Sequence, residues 1–229
     1  MKKLQIVTNR RDIRRFVYFP KKLYADSAHW VPPLWFEEVR AYNTKNNPIL
    51  TDSEFSLNLV LENGEVMGRN LVYIDKAFNR YYKTRTGFFG AFESIDDAEV
   101  SALLLDSAEE WLAVRGMDSI RGPIHPVAEC WGFLREGYDK DPVYMAPYNY
   151  PYYHRLVEQK GYRKVKDLLA YAANARKGYE IPERFLRFSE KILRRKKGLS
   201  LRRINLDRLV EDAEWIWKII NTSLANNWG

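Results

Sequence analysis

The stretch from Thr84 to Gly116, TRTGFFGAFESIDDAEVSALLLDSAEEWLAVRG, most narrows the folds open to this chain. Thr86 to Glu93 is aromatic and β-rich, which predicts a strand. Ser94 to Asp97 is a short polar break. Asp96 followed by Glu99 has capping-box spacing, in which side-chain oxygens cover the orphan amides of a first helical turn. From Asp97 onward Val100, Leu103, Leu104, Ala108, Trp111 and Leu112 recur at helical spacing, and Arg115 with Gly116 suits the helix end. Asp118 to Ile124 predicts a second strand. Strand, helix and strand of these lengths form a βαβ unit, hence a parallel pair and a right-handed crossover. In such sheets ligands collect outside the carboxyl ends of the strands.

The remainder supplies neighbours for that unit. Lys3 to Thr8 predicts a strand, followed by a helix from Asn9 or Asp12 to about Tyr24, which Pro20 is expected to kink or end. Leu34 to Tyr42 reads as a short helix and Asn43 to Asp52 as a loop. Glu54 to Glu62 alternates Phe55, Leu57, Leu59 and Leu61 with polar residues, the pattern of a half-buried strand. Asn63-Gly64 signals a hairpin into the returning strand Glu65 to Asp75, where Gly68 marks a bulge or a close backbone approach. Lys76 to Lys83 is a basic, aromatic connection. The Gly-, Pro- and aromatic-rich segment from Ile124 to Pro147 is a long loop, and long loops are often functional. Pro151 to Lys160 predicts a helix ended by Gly161, and Tyr162 to Ala175 a strand, clearest at Leu168 to Ala172. A boundary falls at Lys177 to Glu183. A basic helix (Arg184 to Lys197), a strand (Leu199 to Ile204) and a helix (Asp207 to Leu224) follow, an arrangement that coarsely repeats the opening of the chain.

The 229 residues are 46% hydrophobic and 14% aromatic, enough for a sizeable core, which excludes a disordered chain. One cysteine, Cys130, allows no internal disulfide and fits a reducing compartment. No apolar run approaches the roughly 20 residues that span a bilayer, and the N-terminus reads as a strand rather than a signal peptide, so the cytoplasm is the expected location. A net charge of +7 attracts anionic partners in principle. The basic runs Arg10–Arg15 and Lys191–Lys197 lie on predicted helices, where a solvated face is the usual explanation, so nucleic acid is not the expected partner. Three His and one Cys offer no metal-ligand spacing, and no phosphate-binding P-loop, nucleophile elbow or dinucleotide fingerprint occurs.

The order of elements resembles the GNAT superfamily of N-acetyltransferases over about Met1 to Arg176. The stretches that carry a narrower resemblance, to a bacterial GNAT-like group of unassigned substrate, are YADSAHWVPPL (Tyr24 to Leu34), RTGFFGAFE (Arg85 to Glu93), IRGPIHP (Ile120 to Pro126) and APYNYPYYHRLVEQKGYRKVKDLLAY (Ala146 to Tyr171). The resemblance implies an α/β fold of α+β type: a mixed central sheet with an antiparallel first half, a parallel strand–helix–strand crossover, and helices on both faces. It further implies a GNAT-like domain at 1–176, a basic helical linker at 177–198 and, at 199–229, the start of a second, incomplete GNAT-like lobe. The chain is therefore expected to be a partial version of a two-lobe protein.

The resemblance also implies acyl transfer from acetyl-CoA or another acyl-CoA to a small-molecule amine or a peptide. It places the donor along Phe88, Phe89, Gly90, Ala91, Phe92 and Ser94, with Asn149. Superfamily members hold the CoA diphosphate on a glycine-rich loop at a helix N-terminus, where orphan amides and the helix dipole attract an anion. Glu93-Ser94-Ile95-Asp96-Asp97 stands there in this chain, with no glycine and three carboxylates. The superfamily's usual general-acid tyrosine position falls on Val157. Tyr152, Tyr153, His125 and Glu129 are the remaining catalytic candidates: phenols for the departing thiolate, and a histidine or carboxylate as base. A buried structural role for His125 and an inert Cys130 are the plainer readings. The alternative to an enzyme is a catalytically inactive module that binds a ligand, a second GNAT-like lobe or another copy of itself.

Overall fold

A computed structural model of the chain describes residues 1–42, 45, 47–126, 131–143, 146–171, 181–195 and 202–225, with the side chains of 193–195 excepted. The chain divides into two compact units, Met1–Lys166 and Asp167–Gly229.

The first unit is built on five strands: β1 (Lys3–Ile6), β2 (Glu54–Glu62), β3 (Glu65–Ile74), β4 (Thr86–Ser94) and β5 (Ser119–Arg121). They lie in the order β1-β2-β3-β4-β5. The first three pairings are antiparallel and β4–β5 is parallel, with Thr86 opposite Ser119 and Phe88 opposite Arg121. The crossover helix is α5 (Ala98–Ala113); the others are α1 (Arg10–Leu23), α2 (Trp35–Ala41), α3 (Pro48–Asp52), α4 (Lys76–Tyr82) and α6 (Tyr152–Gln159). The parallel pair and mixed sheet expected from Thr84 to Gly116 are therefore present.

Alternation along the strands sorts two cores. Leu57, Leu59, Leu71, Tyr73 and Phe88 pack with Phe16 and Val17 of α1 and with Ala41, Tyr42 and Leu50. On the other face Val60, Phe89 and Phe92 pack with Val100, Leu104 and Leu105 of α5 and with Tyr153 and Val157 of α6. Because α5 covers that second face, β2 is not half-buried as its alternation suggests: Ser56, Asn58 and Val60 are buried as well. The polar ones satisfy each other, Ser56 Oγ donating to Asn58 Oδ1 (2.9 Å), Asn58 Nδ2 to Asn70 Oδ1 (3.0 Å) and Asn70 Nδ2 to the Leu104 carbonyl (2.8 Å).

Several local expectations are corrected. Pro20 does not end α1, which runs on to Leu23. The expected loop before β2 contains α3, capped by Asn47, whose Oδ1 accepts from Ile49 and Leu50 N–H. Lys76 to Lys83 is mostly helix α4, ended by Lys83 in the left-handed region at φ 53°. The cap of α5 is Asp97 rather than Asp96, its Oδ1 accepting from Glu99 N (2.9 Å) and Val100 N (3.2 Å). β5 is three residues long. Residues 162–171 form no strand; the rest of the strand expected to Ala175 lies outside the described residues.

The Asn63-Gly64 hairpin holds, with φ of 50° and 84°, as a type I′ turn requires. Gly68 sits beside a bulge, Val60 pairing with Gly68 but Leu61 with Val66. It is also a close approach: a Cβ there would lie 2.7 Å from Val100 Cγ1.

The second unit holds α7 (Glu183–Arg195), a 3₁₀ turn (Leu206–Arg208) and α8 (Leu209–Ser223). Asp212 is its one buried carboxylate among the described residues, held by Arg202 (2.7 Å from Oδ2, 2.5 Å from Oδ1) and by Asn205 N (2.9 Å). Residues 202–204 form no strand; the rest of the strand expected from Leu199 lies outside the described residues. Trp215, Ile216, Trp217 and Ile219 of α8 are exposed. Among the described residues no helix is long and apolar enough to cross a membrane.

Candidate active site

A second bulge builds the site. In a regular antiparallel ladder from the Leu71–Gly90 pair, Arg69 would face Phe92. The pairing instead slips by one residue, and Arg69 lies opposite Glu93. Ala91 absorbs the slip at φ 46°, a left-handed conformation that a small side chain tolerates best. Phe92 consequently faces α5, and Glu93 shares a side with Arg69. A short aromatic strand thus ends with a carboxylate turned inward.

Glu93 Oε2 accepts hydrogen bonds from the Tyr24 hydroxyl (2.5 Å) and the Tyr153 hydroxyl (2.7 Å). Arg69 Nη2 lies 3.7 Å from Glu93 Oε1, and the side chains are 7% and 15% exposed, so Glu93 is the more open partner. The two phenol oxygens are 3.2 Å apart, and Tyr153 also accepts the Ser94 N–H (3.0 Å). Arg69 is fixed from behind: its Nη1 donates to the Phe16 carbonyl (2.7 Å), and its guanidinium lies 4.9 Å from the centre of the Phe16 ring. Phe16 O is the carbonyl four residues before Pro20, whose ring nitrogen has no hydrogen to give it. The proline that α1 tolerates thus frees the acceptor that anchors Arg69.

The electrostatics follow from burial. Desolvation pushes the Glu93 carboxyl above its ordinary range, while Arg69 and the two hydroxyl donors act in the opposite direction. Glu38 on α2 is likewise raised by burial, with Arg69 opposing. Burial and the Glu93 charge hold the Tyr24 and Tyr153 phenols far above their usual range, so both remain proton donors. Burial, then the positive charge of Arg69, lowers His125 to about 4, so its imidazole is neutral near pH 7. Arg69 Nε and His125 Nδ1 are buried without a hydrogen-bond partner among the described residues.

The other expected site residues fall into place around this cluster. Tyr152 donates to the Ser94 carbonyl (2.7 Å), and Ser94 is fully buried with its Oγ on the Ile95 carbonyl (2.8 Å). Phe88, Phe89 and Phe92 are core residues on opposite faces of β4. Gly90 is a contact point, since a Cβ there would meet the Ile124 carbonyl at 2.2 Å. Ile124 N donates to the Phe89 carbonyl (2.8 Å), so the chain after β5 closes against β4 at this level. His125 Nε2 is 3.4 Å from the Tyr42 hydroxyl, on a stacked ring. Asn149 is committed elsewhere: Oδ1 accepts from Leu134 N (2.6 Å) and Nδ2 donates to the Tyr150 carbonyl (2.9 Å). Glu129 and Cys130 lie outside the described residues. Sequence reasoning missed Tyr24, Glu38, Arg69 and Glu93. The available signal was a charged residue set among apolar neighbours in each of two strands, Arg69 inside β3 and Glu93 near the end of β4. Among the described residues no group of His, Cys, Asp and Glu suits a metal ion.

Strand order, crossover and a bulged fourth strand together define a GNAT-like fold, with a buried carboxylate–phenol cluster beside its central strand. No family model matches the chain. It is 32% identical over 222 residues, 96% of this chain and 56% of the other, to Protein YghO of Escherichia coli K12. It is 31% identical over 220 residues, 95% of this chain and 56% of the other, to a bacterial ceramide synthase of Caulobacter vibrioides. The chain thus spans about half the length of the curated relatives it matches. A solved structure of a predicted acetyltransferase with acetyl-CoA from Clostridium acetobutylicum is similar at a TM-score of 0.48 and 13% identity, over 75% of this chain and 96% of that one. The fold assignment rests on the strand order itself.

Proposed function

We propose that the chain carries an N-acyltransfer site in which Glu93 is the proton acceptor, moving an acyl group from a thioester such as acyl-CoA to an amine. The observation that carries this reading is the raised, partly open Glu93 carboxylate, held by Tyr24, Tyr153 and Arg69. A base for a neutral amine needs a carboxylate more basic than an exposed one, and burial supplies that. The amine nitrogen attacks the thioester carbonyl carbon; the C–N bond forms and the C–S bond breaks. Glu93 takes one proton from nitrogen and returns it to the departing sulfur, so the carboxylate is regenerated. Tyr24 and Tyr153 hold the carboxylate in one orientation, and the Arg69 charge favours its ionised form against the effect of burial.

The relative named bacterial ceramide synthase supports a long-chain amino alcohol as acceptor, since a ceramide is the N-acyl derivative of such an amine. The test is mass-spectrometric detection of N-acylated product from octanoyl-CoA and sphinganine. The full chain is expected to form the amide, and Glu93→Gln to form it at least 100-fold more slowly with an unchanged circular dichroism spectrum. Equal rates would remove Glu93 from the chemistry.

A second reading, a non-catalytic GNAT-like lobe, is favoured by Val157 at the tyrosine position and by the helix start capped by its own Asp97. In that reading 199–229 opens a further lobe, which the exposed Trp215 and Ile219 of α8 support. Ligand binding without turnover would select it.

A further inference from the structure

The loop between β4 and α5 is where the resemblance places the diphosphate of CoA, and the residues present there do not fit that group. Five of the amides between Ser94 and Val100 already have partners. Ser94 N donates to the Tyr153 hydroxyl (3.0 Å), and Ile95 N to the carbonyl of Met67, the bulged residue of β3 (3.0 Å). Asp97 N donates to the Ile95 carbonyl (2.7 Å). Glu99 N and Val100 N donate to Asp97 Oδ1 (2.9 and 3.2 Å). The positive end of α5 thus already holds a carboxylate.

The nearby cations are committed in the same way. Lys2 Nζ is 2.7 Å from both Asp97 Oδ2 and Glu99 Oε2, and Arg155 pairs with Asp96. The Asp97 carboxyl is held below its usual range by Lys2 and by the two amides, so it stays charged near neutral pH. A diphosphate entering here must displace one carboxylate from the helix start and face two more. Each displaced or unpaired charge opposes its binding. The glycines that would let a backbone loop wrap a phosphate are absent as well.

We propose that the acyl donor at this site is a thioester selected through its acyl chain and thiol arm, with no recognition of the nucleotide half of CoA. This rests on the acyl-transfer reading above. Donors without a nucleotide, including acyl groups on the pantetheine arm of a carrier protein, are substrates of the same standing as acyl-CoA.

The experiment compares octanoyl-CoA with octanoyl N-acetylcysteamine thioester as donors to sphinganine, using the full chain. In parallel it titrates adenosine 3′,5′-bisphosphate by calorimetry. The expected result is kcat/KM for the two donors within tenfold, and no heat of binding from the nucleotide up to millimolar concentration. Lys2→Gln and Arg155→Gln, which remove the only cations paired at the loop among the described residues, are expected to change kcat/KM for octanoyl-CoA by less than twofold. A preference for octanoyl-CoA above 100-fold, submillimolar nucleotide binding, or a tenfold loss confined to octanoyl-CoA in either variant overturns the proposal while leaving acyl transfer intact. Failure of both donors overturns the acyl-transfer reading, and this inference with it.

Discussion

Tyr153 and Tyr24 donate to the same oxygen of Glu93, yet removing their hydroxyls is not equivalent. Tyr24→Phe deletes one hydrogen bond to a charged acceptor, worth about 1.5–3 kcal/mol. Tyr153→Phe deletes the same kind of bond and also strands the Ser94 N–H, in a residue with no exposed surface. An unpaired buried donor adds about 1–3 kcal/mol. Tyr153→Phe is therefore expected to cost roughly 3–5 kcal/mol, clearly more than Tyr24→Phe. The double variant leaves Glu93 with no donor within hydrogen-bond distance, since Arg69 is 3.7 Å away. The carboxyl then escapes much of the penalty by taking up a proton. Its cost should fall short of the sum of the single variants by about 1 kcal/mol, within the range that coupled neighbours show. Urea unfolding at pH 7 measures all three. Equal costs for the two single variants, with additivity to within about 0.3 kcal/mol, would refute the shared-oxygen geometry.

Arg69→Gln removes a charge that favours ionised Glu93, so the acid limb of the pH–rate profile should move to higher pH; an unmoved limb would mean that Arg69 does not act on the proposed base. His125 binds a proton less readily folded (about 4) than unfolded (6.5), so the stability it contributes is complete above pH 6.5 and is lost as pH falls toward 4. The full difference is about 3 kcal/mol at roughly 1.4 kcal/mol per pH unit. His125→Asn should flatten that part of the stability curve, and an unchanged slope between pH 4 and 6.5 would count against a buried neutral imidazole. Leu104, fully buried under β3 and β4, should cost about 2–5 kcal/mol as Leu104→Ala in thermal or chemical unfolding, with under 1 kcal/mol for the exposed Val114→Ala as control.

Elements whose signal is periodic were legible: β2, β3, β4 and α5 match their predicted spans within two residues at either end. Both hairpin and crossover were specified by short-range cues, Asn63-Gly64 and the polar break before Ala98. What escaped prediction is non-local. Pro20 is a helix breaker by propensity, but its missing N–H costs little when Arg69, far along the chain, takes the freed carbonyl. Asn58 reads as an outward polar residue until Asn70 and the Leu104 carbonyl are brought to it by α5. The site was half legible for the same reason. The motifs holding Tyr153 and His125 do lie beside the Arg69–Glu93 pair. The inward-facing Glu93, the proposed base, was hidden, because its facing depends on a bulge that alternation cannot show.

Two departures from regular backbone meet at one ion pair. Were β4 unbulged, Phe92 would lie against the guanidinium and Glu93 would turn toward Val100 and Leu104, an unpaired carboxylate in an apolar core. Were residue 20 of α1 an ordinary amide, its N–H would compete with Arg69 Nη1 for the Phe16 carbonyl. Pro20 also accepts the Tyr24 N–H at 2.9 Å, so the turn that frees the anchor of Arg69 also positions the phenol that reaches Glu93. Four sequence stretches, those holding Tyr24, Glu93, His125 and Tyr153, thereby converge on the surroundings of Arg69. Buried charge is expensive, and a fold that needed only stability would fill this volume with apolar side chains. A carboxylate whose ionised form is favoured by one arginine and which is aimed by two phenols is instead consistent with the proton transfer proposed above.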